Sequence, residues 1–95
     1  LKTSVVYFDS ILSRLAARYP CTCTLEELAV FVMPPYNIQK TFTENISAQR
    51  ENQAKILNAL ILLEDLGYVV LNPATDESCI TIPGLIKINN TVLHN

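Results

Sequence analysis

Glycine, histidine and charge are all scarce in this chain, and each scarcity removes a class of function. The two glycines, Gly67 and Gly84, are separate and lie at turn-like positions, so no glycine-rich loop can cradle a phosphate. The single histidine, His94, sits beside the chain end and is a poor base for a cysteine nucleophile. Lys and Arg number seven against nine Asp and Glu, for a formal net charge of -2, and the cations at 2, 14, 18, 40, 50, 55 and 87 are scattered rather than striped. No uncharged run approaches the roughly 18 apolar residues of a membrane-spanning helix, so no membrane partner is expected.

The three cysteines, Cys21, Cys23 and Cys79, cannot all pair within one chain and are too few for a disulfide scaffold, which predicts a reducing, cytoplasmic setting. Cys21-x-Cys23 with Cys79 and His94 does not have the spacing of a structural zinc site, so no metal and no cofactor is expected. The acid pairs Glu26-Glu27 and Glu64-Asp65 are adjacent on helices and point about 100 degrees apart, unlike a catalytic dyad. Glu26 and Glu27 suit a helix N-terminus, and Glu64 and Asp65 a solvated helix end. No catalytic residue emerges, and an enzyme is not expected. Two Asn-x-Ser/Thr triplets, at Asn45 and Asn89, read as chance outside a secreted setting. Leu1 in place of Met, with no basic segment ahead of an apolar one, shows neither a signal peptide nor an intact natural N-terminus, so a trimmed chain is expected.

Apolar residues, by contrast, make up 49% of the 95 residues, enough to fold one core and too little chain for two. A single domain over 1–95 is expected. From Ser4 to Tyr19, Val5, Phe8, Ile11, Leu12, Leu15, Ala16 and Tyr19 recur at helical spacing, and Pro20 ends the run in an extended Cys21-Thr22-Cys23 connection. Thr24-Leu25-Glu26-Glu27 reads as a capping box that opens a second helix carrying Leu25, Leu28, Ala29, Phe31 and Val32. Pro34 and Pro35 stop it near Met33. Residues 36–45 show no sustained period and predict a connection.

A long helix follows from about Ser47 to Leu66, without Gly or Pro, with Ile56, Ala59, Leu60, Leu63 and Leu66 as its buried stripe. Glu51, Lys55, Asn58 and Asp65 form its polar face, on which Leu62 is an exception. Gly67 supplies the left-handed residue of a helix C-cap. Tyr68–Leu71 and Ser78–Ile82 then have strand composition around a turn of roughly six residues, Asn72–Glu77. Leu85–Asn89, after Pro83-Gly84, suits a third strand better than a short terminal helix.

Three helices followed by a β-hairpin resemble a winged helix-turn-helix domain. The likeness is carried by Ile56–Val70, similar to a third helix that leaves through a Leu-Gly-aromatic-aliphatic junction into the first wing strand. It is carried also by Ile80-Thr81-Ile82-Pro83-Gly84, similar to a return strand that closes the wing. The resemblance implies an α+β fold of three main helices with a C-terminal β-hairpin wing, and a DNA-binding, transcription-regulator-like role. In that family the third helix enters the major groove and the wing touches the backbone. Carried onto this chain, the implied contacts with double-stranded DNA are Gln49, Arg50, Asn52 and Lys55, with Lys40 just upstream. Arg can bond guanine bidentately, and Asn or Gln adenine.

The charge pattern supports an alternative reading. Phosphate binding draws on Lys and Arg, yet acids outnumber them here, and the expected wing tip holds Asp76 and Glu77. Apolar side chains beyond the core stripes, namely Leu62, Val6, Val92 and Leu93, point instead to a protein-interaction module, with a two-fold homodimer as the default form. Tyr7, Tyr19, Tyr36, Tyr68, Phe8, Phe31 and Phe42 lack the interleaved cations of a single-strand platform and read as core and rim.

Overall fold

The computed structural model describes residues 5–32 and 42–93. Within them the chain runs α1 (Phe8–Arg18), β1 (Cys23–Thr24), α2 (Leu25–Val32), α3 (Phe42–Asp65), β2 (Val69–Asn72), β3 (Glu77–Ile80) and α4 (Ile82–Leu93). The fold is α+β, four helices around one three-stranded antiparallel sheet of order β1-β3-β2 among the described residues.

The core is a single cluster in which Ile11, Leu12 and Leu15 of α1 meet Leu28 and Ala29 of α2, and Ile56, Ala59, Leu60 and Leu63 of α3. Val69 and Ile80 add the inner face of the sheet, and Ile88 adds α4. The helical spacings within each stripe are what let one narrow face per helix supply all of this burial. Four residues assigned to stripes from spacing, Val5, Tyr19, Phe31 and Leu66, are half exposed instead. Val5 and Tyr19 lie outside α1, and Leu66 follows the last residue of α3.

The capping box forms as expected. The Glu27 N–H donates to Thr24 Oγ1 at 3.1 Å, and the Thr24 N–H donates to Glu27 Oε1 at 2.8 Å. At the far end of α3 the Tyr68 N–H donates to the Leu63 carbonyl at 3.0 Å and the Gly67 N–H to the Glu64 carbonyl at 2.9 Å, with Gly67 at φ +85°. That pair of bonds is a Schellman cap, and it turns the chain straight into β2.

The third strand is not Leu85–Asn89, which lies within α4. Cys23–Thr24 takes that place, pairing Cys23 with Ser78 and Thr24 with Glu77. The physical cause is Thr81. Its Oγ1 accepts from the Gly84 N–H at 3.1 Å, capping a new helix, and the Leu85 N–H closes its first turn on the Thr81 carbonyl at 2.9 Å. Leu85 and Ile88, three apart, then face the core in helical rather than alternating rhythm. Ile80-Thr81-Ile82-Pro83-Gly84 is therefore a strand-to-helix junction, with β3 ending at Ile80.

The hairpin turn is also shorter than six residues, because Asn72 and Glu77 are themselves a cross-strand pair. Asn72 Oδ1 accepts from the Ala74 N–H at 3.0 Å, and Asp76 takes the left-handed conformation at φ 58°. The connection expected over 36–45 is helical from Phe42 onward, and 36–41 lie outside the described residues.

The same Thr81 hydroxyl donates to the Gly67 carbonyl at 2.7 Å, joining the exit of α3 to the entry of α4. Gly84 packs so closely here that a Cβ would fall 2.2 Å from the Tyr68 carbonyl oxygen and 2.6 Å from Ile80 Cγ1. Around Gly67, a Cβ would meet nothing within 4 Å. Gly84→Ala is expected to cost about 1–3 kcal/mol through overpacking. Gly67→Ala is expected to cost only the left-handed backbone penalty of about 1–2 kcal/mol. Urea unfolding of both variants should show a refolded, repacked native state for Gly84→Ala alone, read as altered side-chain NMR shifts in Tyr68 and Ile80.

Candidate functional site

Of the five residues expected on a DNA-reading surface, Gln49, Arg50, Asn52 and Lys55 fall on the middle turns of α3, and Lys40 lies outside the described residues. The helix separates the four. Gln49 and Asn52 are half buried on the side that continues the Ile56–Leu60–Leu63 stripe, whereas Arg50 and Lys55 are exposed. At about 100 degrees per residue the two cations diverge by roughly 140 degrees around the axis. Lys55 shares its strip with Glu51, Asn58, Leu62 and Asp65, and Arg50 shares its own with Ala54, Leu57 and Ile61, which is 44% exposed. The outward side of α3 thus alternates both signs of charge with apolar groups.

The hairpin tip is tied to the body of the domain. The Asp76 carbonyl accepts from the Leu25 N–H at 2.9 Å, satisfying the first turn of α2. The Glu77 carboxylate accepts from the Thr75 hydroxyl at 3.2 Å. Glu64 does more than solvate a helix end, since its Oε2 accepts from the Leu71 N–H at 3.0 Å and occupies a donor on the open edge of β2. Sequence spacing gave no signal for this contact, which depends on how β2 folds back along α3.

Two shallow cavities border the exposed apolar groups. One, of about 290 Å³, lies between Val5, Phe8, Leu62, Asp65 and Leu66, so Leu62 lines a hollow shared with α1. Val6 beside it is 70% exposed, and Leu66 is 56% exposed. Val92 and Leu93 belong to the last turn of α4, beyond the described side chains. The other cavity, of about 370 Å³, is lined by Arg14, Glu26, Glu27, Val30 and Phe31. There the Arg14 guanidinium stands 4.7 Å from the centre of the Phe31 ring, and Phe31, placed on the core stripe by spacing, is half exposed.

Among the described residues no group of three or more His, Cys, Asp or Glu side chains could hold a metal ion, and no helix is long and apolar enough to cross a membrane. Cys23 is buried, and loss of hydration pushes its thiol up from the ordinary value. Ser78, its cross-strand partner, buries a hydroxyl that has no hydrogen-bond partner among the described residues.

Hydrogen bonds from the backbone and side chain of Thr24 hold the Glu27 carboxyl below its ordinary value of 4.5. A lowered folded-state value means the contribution is complete above the unfolded carboxyl range and is lost as pH falls through the folded value. The stability deficit of Glu27→Gln, measured by urea unfolding, is therefore expected to be largest at neutral pH and to vanish in acid. Thr24→Ala is expected to cost about 1 kcal/mol at neutral pH, and Ser78→Ala to be neutral or stabilising by up to about 1 kcal/mol.

No family model matches the chain, and neither a curated protein nor a solved structure matches it.

Proposed function

We propose that this chain is a winged-helix-type domain that works through protein contact, with two-fold self-association as its simplest form. The winged-helix part of the reading is supported by the order helix, strand, helix, helix, strand, strand, and by a sheet in which the strand between the first two helices pairs with the returning strand of the hairpin. The long α3 that breaks at Gly67 and hands the chain to β2 supports it as well.

One observation carries the protein-contact reading. The outward side of α3, where a groove-reading helix needs convergent cations, sets Arg50 and Lys55 among Glu51, Asp65 and an exposed Ile61. Phosphate affinity scales with the number of phosphates neutralised, and two divergent cations neutralise few. Meanwhile Val5, Val6, Leu66, Ile82 and Ile86 are each more than half exposed, and clustered apolar exposure of that kind marks contact surfaces. Leu66 and Ile82 flank the bonded pair Gly67 and Thr81, which brings the ends of α3 and α4 together beside the Val5–Leu62 hollow.

Double-stranded DNA is the second reading, favoured by the exposure of Arg50 and Lys55. The two readings separate in one pair of measurements. Sedimentation velocity over a wide concentration range is expected to show reversible self-association that Leu66→Glu with Ile82→Glu abolishes, while random duplex DNA at low salt shows no salt-dependent binding. Monomeric behaviour throughout, together with duplex binding that Arg50→Glu and Lys55→Glu weaken by about ten-fold or more, would establish the second reading instead.

A further inference from the structure

We propose that the hollow between α1 and α2 binds an apolar α-amino acid in its zwitterionic form, with Arg14 holding the carboxylate, Glu26 the ammonium, and Val30 with Phe31 the side chain.

The hollow, of about 370 Å³, is lined by Arg14 from α1 and by Glu26, Glu27, Val30 and Phe31 from α2. On α2, Glu26 and Val30 stand four residues apart in one row, and Glu27 and Phe31 stand four apart in the next. Val30 and Phe31 are 44% and 50% exposed, so together they offer a ligand an apolar floor. A volume at the low end of small-molecule sites, with apolar lining and a few charged groups, suits a compact ligand.

The charges in the hollow are not spent on each other. Arg14 is half buried, and among the described residues it stacks on the Phe31 ring and is not paired with a carboxylate. A guanidinium stacked by its face keeps its N–H groups at the edge, where they match the two oxygens of a carboxylate. Glu27 is engaged elsewhere, since its Oε1 accepts from the Thr24 N–H. Glu26 is exposed and carries no hydrogen bond or ion pair among the described residues. The turn on which it stands is fixed by the capping box and by the Asp76 carbonyl on the Leu25 N–H, so its backbone is ordered before any ligand arrives.

The mixed signs select the ligand. A simple anion that pairs with Arg14 also meets Glu26 and Glu27, and a simple cation that pairs with Glu26 also meets Arg14. A molecule that carries both charges beside an apolar group satisfies the cation, the acid and the floor at once. This site shares no residue with the Val5–Leu62 hollow, so it stands or falls apart from the protein-contact reading.

The experiment titrates the full chain with L-phenylalanine, 3-phenylpropionate and phenethylamine, the last two lacking the ammonium and the carboxylate respectively, and follows the side-chain NMR signals of Val30 and Phe31. Phenylalanine is expected to shift both signals to saturation with a Kd of about 1 mM, roughly what twelve non-hydrogen atoms support at ordinary ligand efficiency. Each half-charged analogue should bind at least about ten-fold more weakly, because it leaves one charged group of the site unpaired. Arg14→Gln should remove binding, and Glu26→Gln should erase the preference for phenylalanine over 3-phenylpropionate. No shift at about 20 mM phenylalanine, some twenty times the expected Kd, would overturn the proposal. So would equal binding of either analogue by the parent chain, or a preference for phenylalanine unchanged in Glu26→Gln. If Arg14→Gln fails to fold, the ligand series on the parent chain and the exposed Glu26→Gln substitution still decide it.

Discussion

A single hydroxyl joins the exit of α3 to the entry of α4. Thr81 Oγ1 donates to the carbonyl of Gly67, the residue that ends α3, and accepts from the N–H of Gly84, in the first turn of α4. Its own N–H donates to the Tyr68 carbonyl at 3.0 Å. Helix ends leave backbone groups without intrahelical partners, and here one threonine satisfies groups at the end of one helix and the start of another. The close approach of Gly84 to the Tyr68 carbonyl leaves no room for a side chain, so this seam also fixes residue type. The arrangement holds β2 and β3 against α3 and aims α4 back over α1.

From that seam follows the character of the surface. Because α4 returns to the core through Leu85 and Ile88, Ile82 and Ile86 are left facing outward. Leu66 is pushed outward by the same turn, since the Schellman cap reverses the chain one residue later. The exposed apolar groups near the seam are thus a product of how the chain exits α3. The hairpin, in turn, is held at its tip by the Asp76 carbonyl on the Leu25 N–H and at its edge by Glu64 on the Leu71 N–H. Both acidic positions serve the fold through defined bonds, which makes the sheet a braced element rather than a free arm.

Much of the fold was legible in the residues. The capping box at Thr24 and Glu27, the stop at Gly67 and the stripe Ile56, Ala59, Leu60 and Leu63 follow from local rules of spacing and capping, and local rules read well from a sequence. What was not legible is tertiary. Nothing in Cys23-Thr24 announces a strand, since its pairing depends on β3 arriving from more than fifty residues away in sequence. Leu85–Asn89 has strand composition, and only the Thr81 cap and the neighbouring Gly84 convert it to helix. Of the proposed DNA contacts, Arg50 and Lys55 are exposed as expected. Gln49 and Asn52 turned inward because the heptad-like rhythm of α3 extends towards its N-terminus, a rhythm hidden where its positions are polar.

The central claim is that the Thr81 seam binds α3, the sheet and α4 into one cooperative unit. Native-state hydrogen exchange tests it most directly, since it reads the opening free energy of each backbone amide. The account predicts that the amides of Tyr68, Thr81, Gly84 and Leu85 exchange with the same free energy as the Leu60 and Leu63 amides inside α3, through global unfolding. Exchange of the Gly84 and Leu85 amides at a much lower free energy, with α3 still protected, would contradict it and make α4 an independently fraying appendage.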